Sequence, residues 1–370
     1  MDTITGKEVL ISGASIAGLS TAWWMNQLGY RVTVVEMAPQ PRVNGAAIDL
    51  KGDTIAVIKR MGLFDELTKH RLHVDRVEFK NADDMTVGSV QTADNESDEL
   101  EIEREAFIHI LLENLIDKVT FQFNDSITAL HPTEDGMAVE FKQGAQRLFH
   151  LVLGCDGVHS GVRRLWFGDE AEYAHFMNAY GSLTILDKLL IRPGTMQLFR
   201  VPGKSITLNA YRTKTDVIFS FVSDTKIDYD YRNKGQQRQL ILDQFAGQGW
   251  RTAELLAEMQ QSDNFYLVEF YQIHMPSWTK GRVALVGDAG YCASPAAGMG
   301  GSLAVSGAAA LADALQKHAG NFEVAFEEYN DTFRPFIERV QAEARQNLKT
   351  VFLPETEEGV QQSNAQTNPF

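Results

Sequence analysis

The sequence predicts an α/β fold in which a parallel-sheet domain is interrupted by a mainly antiparallel sheet and followed by a long C-terminal helix. Three observations predict it. Apolar runs at 9–11, 151–153 and 283–286 each lead into a glycine-containing turn, as buried parallel strands do. The segment from about 180 to 273 alternates apolar and polar residues, which indicates antiparallel strands. Residues 322–351 keep apolar side chains at spacings of three and four, which is typical of a helix.

Composition excludes several functional classes. The chain has 370 residues and a formal net charge of −15, which repels phosphate backbones and anionic lipid. We therefore expect no nucleic acid or membrane partner. A monomer or weak homodimer is expected as well. Its two cysteines, Cys155 and Cys292, suggest no disulfide framework and fit a reducing compartment. No signal peptide or long apolar run is evident, so the expected location is cytoplasmic.

The change in pattern along the chain also predicts domain boundaries. Residues 1–175 and 270–351 are expected to form one discontinuous domain, and residues 176–269 a second. The polar stretch 352–370 has the composition of a disordered tail.

A glycine turn near the N-terminus is the strongest local motif. It lies between an apolar strand and a helix, and Glu36 ends the next strand. In a Rossmann-like unit, such a turn admits a pyrophosphate at a helix N-terminus, and the acid accepts hydrogen bonds from a ribose. The alternative is an ordinary strand-to-helix turn. The residues predicted to bind a dinucleotide are Gly13, Ser15, Ile16, Ala17, Gly18 and Glu36, with Ser15 in place of the usual middle glycine.

A second motif follows the strand at 283–286. This strand delivers Asp288 to the edge of the sheet where ligands of open α/β folds bind. A glycine-rich turn then presents the N-terminus of a helix at 302–315 to a negative charge. The alternative is that these glycines only pack a helix against a sheet. The predicted cofactor-binding residues here are Asp288, Pro295, Gly298, Gly300, Gly301 and Ser302.

With a third motif, Asp156-Gly157, these segments occur in the order seen in group A flavoprotein monooxygenases. The chain resembles this p-hydroxybenzoate hydroxylase-like family, and within it the tetracycline-inactivating branch. The resemblance covers roughly 7–170 and 270–350. It implies a Rossmann-like domain that binds FAD tightly, and a substrate domain over 176–269.

The resemblance also implies roles for single residues. Asp49, Arg104 and Asp156 would contact FAD, and Arg42 would lie near the flavin or the nicotinamide donor. For each arginine, a solvated surface position is the alternative. His159 follows the Asp-Gly turn, where a structural or solvated histidine is the commoner case. The histidines and cysteines show no spacing typical of a metal site, so no metal is expected.

The activity implied by the resemblance is hydroxylation of an aromatic or polyketide-like small molecule, such as a tetracycline. NADPH or NADH would bind transiently and reduce FAD, and O2 would react through a flavin C4a-hydroperoxide. Because the cofactor carries this chemistry, no catalytic side chain is assigned. Two alternatives stay open: an FAD-dependent dehydrogenase or reductase without oxygen insertion, and a non-enzymatic protein that keeps the fold for nucleotide sensing or as a scaffold.

Some positions depart from the family pattern. Ala296 replaces a bulky aromatic, Met299 a glutamine and Tyr291 a histidine found in many relatives, so the substrate is expected to differ from those of the best-known members. In the alternating region, Phe199, Tyr211 and Phe219 are candidates for either substrate contact or plain core.

Overall fold

The computed structural model describes residues 5–43, 45–92 and 99–365. These residues divide into two compact units. The first unit runs to Arg71 and continues over Glu99–His175 and Tyr271–Ala342. The second unit begins at Leu72 and contains Phe176–Phe270 and the segment from Glu343 onward.

The strands are β1 (Glu8–Ser12), β2 (Arg31–Glu36), β3 (Ile48–Leu50), β4 (Arg76–Lys80), β5 (Thr86–Gln91), β6 (Leu100–Ile102), β7 (Thr120–Phe123), β8 (Ile127–Pro132), β9 (Met137–Phe141), β10 (Arg147–Phe149), β11 (Leu151–Gly154), β12 (Ala174–Leu186), β13 (Thr195–Val201), β14 (Lys204–Tyr211), β15 (Lys214–Val222), β16 (Phe265–Ile273), β17 (Thr279–Lys280) and β18 (Val283–Leu285).

The α-helices are α1 (Ile16–Gln27), α2 (Thr54–Arg60), α3 (Phe64–Thr68), α4 (Arg104–Glu113), α5 (Gly161–Trp166), α6 (Lys234–Phe245), α7 (Thr252–Gln261), α8 (Asp288–Tyr291), α9 (Gly300–Lys317), α10 (Phe322–Asn347) and α11 (Glu357–Asn364). A π-helical turn, Leu348–Phe352, extends α10.

The first unit is built on a six-stranded sheet with the order β17-β18-β11-β1-β2-β7. Its strands pair in parallel except at β17, which is antiparallel to β18. The three apolar runs in the sequence are β1, β11 and β18, and all three are completely buried apart from Glu8. Burial on both faces explains why they lack alternation.

The second unit is built on a seven-stranded sheet with the order β16-β12-β15-β14-β13-β4-β5. Its central strands β12, β15, β14 and β13 are antiparallel, while β13 and β4 pair in parallel. The predicted α/β class, antiparallel sheet and long C-terminal helix are therefore confirmed.

The register of this second sheet assigns each side chain to a face, because side chains alternate along a strand and paired residues share a face. Phe199, Ile206 and Phe219 are aligned across three strands. They form an apolar cluster with residues of α6 and α7, so Phe199 and Phe219 belong to the core. We call this the helix-covered face. Tyr211 lies on the opposite face, where its hydroxyl donates to Asp216 Oδ1 at 2.9 Å.

The units differ from the predicted domains at 72–92 and at 343–351, both of which belong to the second unit. Residues 72–92 join the second unit because β4 hydrogen-bonds to β13 and β5 to β4. The expected disordered tail at 352–370 is corrected over its described part, where α11 forms. Thr356 caps this helix by accepting a hydrogen bond from the amide of Gly359, and Ser363 Oγ donates to the carbonyl of Val351 at 3.0 Å. Local capping thus offsets the polar composition.

Within the described ranges, no helix combines the length and apolarity needed to cross a membrane.

Candidate cofactor site

The predicted site residues follow the carboxyl ends of parallel strands. Gly13 follows β1, Glu36 ends β2, Asp156 follows β11 and Asp288 follows β18. Because these four strands are neighbours and parallel, their carboxyl ends lie at one edge of the sheet. The fold therefore brings together segments that are far apart in the sequence.

The glycine turn is packed too tightly for any side chain at its two glycines. A Cβ on Gly13 would lie 2.5 Å from the carbonyl oxygen of Cys155, and the φ of Gly13 is +103°. A Cβ on Gly18 would lie 1.8 Å from the carbonyl oxygen of Gly13. These contacts bring the turn, α1 and the end of β11 into direct apposition. The N-terminal amides of α1, which begins at Ile16, then lie at the sheet edge.

Glu36 is buried beside this turn. One of its carboxylate oxygens accepts from the amide of Ala14 and the other from the amide of Ala38, each at 2.9 Å. The two bonds fix the carboxylate at the end of β2. Each oxygen retains acceptor capacity, because a carboxylate has about four lone-pair sites. Glu36 is thus positioned to accept hydrogen bonds from a diol.

Arg104, the first residue of α4, reaches the same turn. Its Nη2 donates to Ser15 Oγ at 2.6 Å, and a Cβ on Gly45 would lie 2.8 Å from its Cδ. Ser15 is the N-cap residue of α1, but its side chain makes no capping hydrogen bond. Its hydroxyl instead accepts from the guanidinium, which gives this position a role that glycine cannot supply.

Asp288 is half-buried at the start of α8. Burial raises the pKa of this carboxyl, while a hydrogen bond to Cys292 and the positive charge of Arg104 oppose the rise. The preceding Gly287 has a φ of +68°, and a Cβ there would lie 3.0 Å from the Cβ of Ala17. The Gly-Asp segment is therefore packed against α1 and influenced electrostatically by Arg104.

The glycine-rich turn before α9 contains two residues with positive φ, Ser294 at +84° and Gly298 at +60°. Gly300 and Gly301 begin α9, while Pro295 is exposed. Ser302 is fully buried: its hydroxyl donates to the carbonyl of Asp49 at 2.9 Å and accepts from the amide of Lys51 at 3.0 Å. The Ser302 side chain thus joins α9 to β3, and its predicted contact with a cofactor would have to come from its backbone.

Asp49 is half-buried on β3. Its carboxylate lies 3.3 Å from Lys51 Nζ. Burial raises its pKa, and the ammonium of Lys51 acts in the opposite direction. A Cβ on Gly298 would lie 4.0 Å from Asp49 Oδ2, so this carboxylate borders the glycine-rich turn.

Asp156 lies at the same edge but its carboxylate is already engaged. It accepts from the amide of Val162 at 3.1 Å and from the hydroxyl of Ser160, and burial raises its pKa. Ser160 caps α5 by accepting a hydrogen bond from the amide of Arg163 at 3.0 Å. The structure thus shows Asp156 holding the start of α5.

Two residues considered in this region have exposed side chains. Arg42 is exposed, and its near neighbour Asn44 lies outside the described residues. His159 is also exposed, with Nδ1 2.9 Å from Glu170 Oε1. The sequence did not single out Arg163, which is fully buried and donates to the carbonyls of Val158 and Ala289. Arg163 therefore connects the Asp-Gly motif with the Gly-Asp motif.

The combined features fit FAD. The tight glycine turn and the N-terminus of α1 suit a pyrophosphate, the carboxylate of Glu36 suits a ribose, and Arg104 provides a cation beside Ser15. The sequence profile described as an FAD binding domain matches residues 7–344. The chain belongs to this FAD-binding family.

Members of the FAD-binding family resemble this chain along most of its length. An uncharacterized protein, Rv1260 of Mycobacterium tuberculosis, is 35% identical over 348 residues, covering 90% of this chain and 92% of its own. A flavin-dependent monooxygenase from an unknown prokaryotic organism is 34% identical over 345 residues, covering 91% and 88%. The crystal structure of tetracycline destructase Tet(55) superposes with a TM-score of 0.87 at 32% identity, covering 98% and 95%.

These findings confirm the resemblance to p-hydroxybenzoate hydroxylase-like flavoproteins and the expectation of FAD as the cofactor. The protein is an FAD-dependent oxidoreductase of the flavin-dependent monooxygenase family.

Proposed function

We propose that this flavoprotein uses NADPH or NADH and O2 to hydroxylate an aromatic or polyketide-like small molecule, with tetracyclines as the first substrates to test. The observation that carries the proposal is the 32% identity with tetracycline destructase Tet(55) over 98% of this chain. Similarity of the FAD-binding unit alone would indicate only a shared cofactor. Because the similarity extends over both units, it favours a shared type of reaction as well.

When bound, FAD supplies electron transfer from a nicotinamide and the activation of dioxygen. The side chains of this protein hold and orient it. The amides at the start of α1 receive the pyrophosphate, and Glu36 accepts from the adenosine ribose. Arg104 contributes a positive charge next to Ser15, and Asp288 offers an acceptor at the end of β18.

The start of α9 supplies an electrostatic contribution. The amides of Gly300, Gly301 and Ser302 lie in its first turn and have no acceptor within the helix. Their aligned dipoles favour negative charge near this terminus by about 0.3–1 kcal/mol. In this proposal the positive end of α9 would lie near the bound flavin and would favour negative charge on it.

The test is to measure NADPH and NADH oxidation by the FAD-loaded protein with tetracycline, with a planar phenolic polyketide and with p-hydroxybenzoate. We expect tetracycline to stimulate oxidation and to yield a product heavier by one oxygen atom, which isotopically labelled O2 traces. Free FAD with the same reagents is the control. Hydroxylation of p-hydroxybenzoate alone would contradict the tetracycline part of the proposal. Nicotinamide oxidation without any oxygenated product would favour the reductase alternative.

A further inference from the structure

A cavity of about 250 Å³ lies within the first unit. Its walls come from the segment 273–278 at the end of β16, from Tyr291 and from one side of α10. None of the residues predicted to bind FAD lines it. Because a cavity of about 150 Å³ holds a benzene ring, this one suits a single ring that carries a substituent.

Gln341 of α10 lines this cavity and has a fixed orientation. Its Nε2 donates to the carbonyls of Ile273 at 2.8 Å and Cys292 at 3.1 Å, and its backbone carbonyl accepts from Gln272 Nε2 at 2.7 Å. Only the amide nitrogen can donate to two carbonyls, so these bonds also identify the amide oxygen. That oxygen, Oε1, accepts no hydrogen bond from the residues that the structure describes, although Gln341 is only 3% exposed.

Trp278 supplies the complementary group. It lines the same cavity and is 1% exposed, and its indole Nε1 donates to none of the described residues. A buried indole N–H normally has an acceptor, and a buried amide oxygen normally has a donor. The cavity is thus lined by a donor and an acceptor that the described part of the chain leaves unpaired.

The rest of the wall favours a neutral aromatic ligand. The guanidinium of Arg334 lies 4.5 Å from the centre of the Trp278 ring, and its Nη groups are engaged with two backbone carbonyls. Glu338, which is exposed, adds a carboxylate to the same wall and balances this charge. The rings of Trp278 and Tyr291, with centroids 4.7 Å apart, provide aromatic surface.

We propose that this cavity binds a planar ring that carries a primary carboxamide. The carboxamide N–H donates to Gln341 Oε1 and the carboxamide oxygen accepts from Trp278 Nε1, so both groups are paired. A carboxylate or a ketone cannot pair both, because neither has a donor. Two sources share this chemistry, the nicotinamide of a dinucleotide and a free aromatic carboxamide. The inference does not depend on the proposed function, since it involves none of the residues assigned to FAD.

The test is a benzamide titration of the FAD-loaded protein with ¹⁵N-labelled tryptophans, followed through the indole NMR signals without NAD(P)H. Trp278→Phe assigns the Trp278 signal by its loss from the five. We expect benzamide to shift this signal and to bind at least tenfold more tightly than acetophenone or benzoate, which lack the N–H donor. Tetrahydro-NADPH, which carries the carboxamide and cannot reduce FAD, distinguishes the two sources. Displacement of benzamide from Trp278 assigns the site to a nicotinamide nucleotide, and retention assigns it to a free carboxamide.

Trp278→Phe also tests the donor, since it keeps an aromatic ring and removes the N–H group. Calorimetry should show that this variant binds benzamide about tenfold more weakly. Glu338→Gln is the matched control, because Glu338 lies in the same wall and is exposed, and it should keep the wild-type affinity within about twofold. If Trp278→Phe does not fold, calorimetry of the ligand series on the wild type decides.

Three results overturn the proposal. The first is that benzamide shifts only the signals of other tryptophans. The second is that benzoate, acetophenone or phenol binds as tightly as benzamide. The third is that folded Trp278→Phe keeps the full affinity for benzamide.

Discussion

Arg104 donates a hydrogen bond to Ser15 across 89 positions of sequence, and the donor and acceptor atoms, Nη2 and Oγ, are 2.6 Å apart. The bond joins the start of α4 to the glycine turn before α1. The same guanidinium lowers the pKa of Asp288 against the effect of burial. One arginine thus connects the glycine turn and the Gly-Asp segment, two motifs that lie far apart in the sequence.

We expect Arg104→Ala to weaken FAD binding about tenfold or more, because a charge-assisted hydrogen bond contributes about 1.5–3 kcal/mol. The measurement is the dissociation constant of FAD by fluorescence quenching. Glu105→Ala is the matched control, since Glu105 is the next residue of α4 and is exposed. Equal FAD affinities for the two variants would show that Arg104 does not hold the cofactor.

The carboxylate of Glu36 leads to a prediction about which flavin binds. FMN lacks the adenosine whose ribose Glu36 is expected to contact. Glu36→Ala should therefore reduce FAD affinity about tenfold and leave FMN affinity nearly unchanged. Titration of the flavin-free protein with both flavins measures this ratio. Glu8→Ala is the control, because it also removes a carboxylate from a strand of the same sheet. Glu8 is partly exposed and pairs with Arg31. A similar loss for FAD and FMN would mean that Glu36 acts only on the glycine turn.

The sequence predicted which segments meet at this edge of the sheet, because short motifs determine it. The glycines at 13 and 18 have only one steric explanation, and parallel strands bring their carboxyl ends together in any such sheet. The role of the Ser302 side chain was harder to predict, because its hydroxyl forms a hydrogen bond with β3, about 250 positions away in the sequence. Nothing local distinguishes a serine that binds a ligand from one that joins two elements.

The alternating region was harder to interpret. Period-two alternation predicts strands but does not say which face a neighbouring helix covers. Phe199 and Phe219 are core because α6 and α7 cover their side of the sheet, whereas Tyr211 lies on the other side. The placement of β4 and β5 depended on pairing with β13, more than a hundred residues later.

The glycine turn predicts a large loss of stability from a small substitution. A methyl group on Gly18 would lie 1.8 Å from the carbonyl oxygen of Gly13, so the turn or α1 must shift. We expect Gly18→Ala to lower the free energy of unfolding by about 2 kcal/mol or more. Gly300→Ala is the control, because a Cβ there meets nothing within 4 Å. Denaturant unfolding of both variants without FAD is the measurement. A loss below about 1 kcal/mol for Gly18→Ala would contradict the tight packing.

The last prediction concerns Tyr30, whose side chain is 2% exposed. Burial raises its pKa from 10.0 to about 12. The folded protein therefore keeps this phenol neutral at a pH where the unfolded chain ionises it. Ionisation of Tyr30 in the unfolded chain therefore lowers the free energy of unfolding only above about pH 10, and this loss reaches roughly 3 kcal/mol by about pH 12.

Tyr30→Phe should remove this loss of stability at alkaline pH. At pH 7 the substitution should be neutral or slightly stabilising, because the Tyr30 hydroxyl is buried without a hydrogen-bond partner among the described residues. The measurement is the free energy of unfolding by urea at intervals from pH 7 to 11.5, taken as the difference between variant and wild type so that other titrating groups cancel. Tyr231→Phe is the control, since Tyr231 is 69% exposed and should leave the pH dependence unchanged. A Tyr30→Phe curve parallel to that of the wild type above pH 10 would show that the phenol ionises equally in both states.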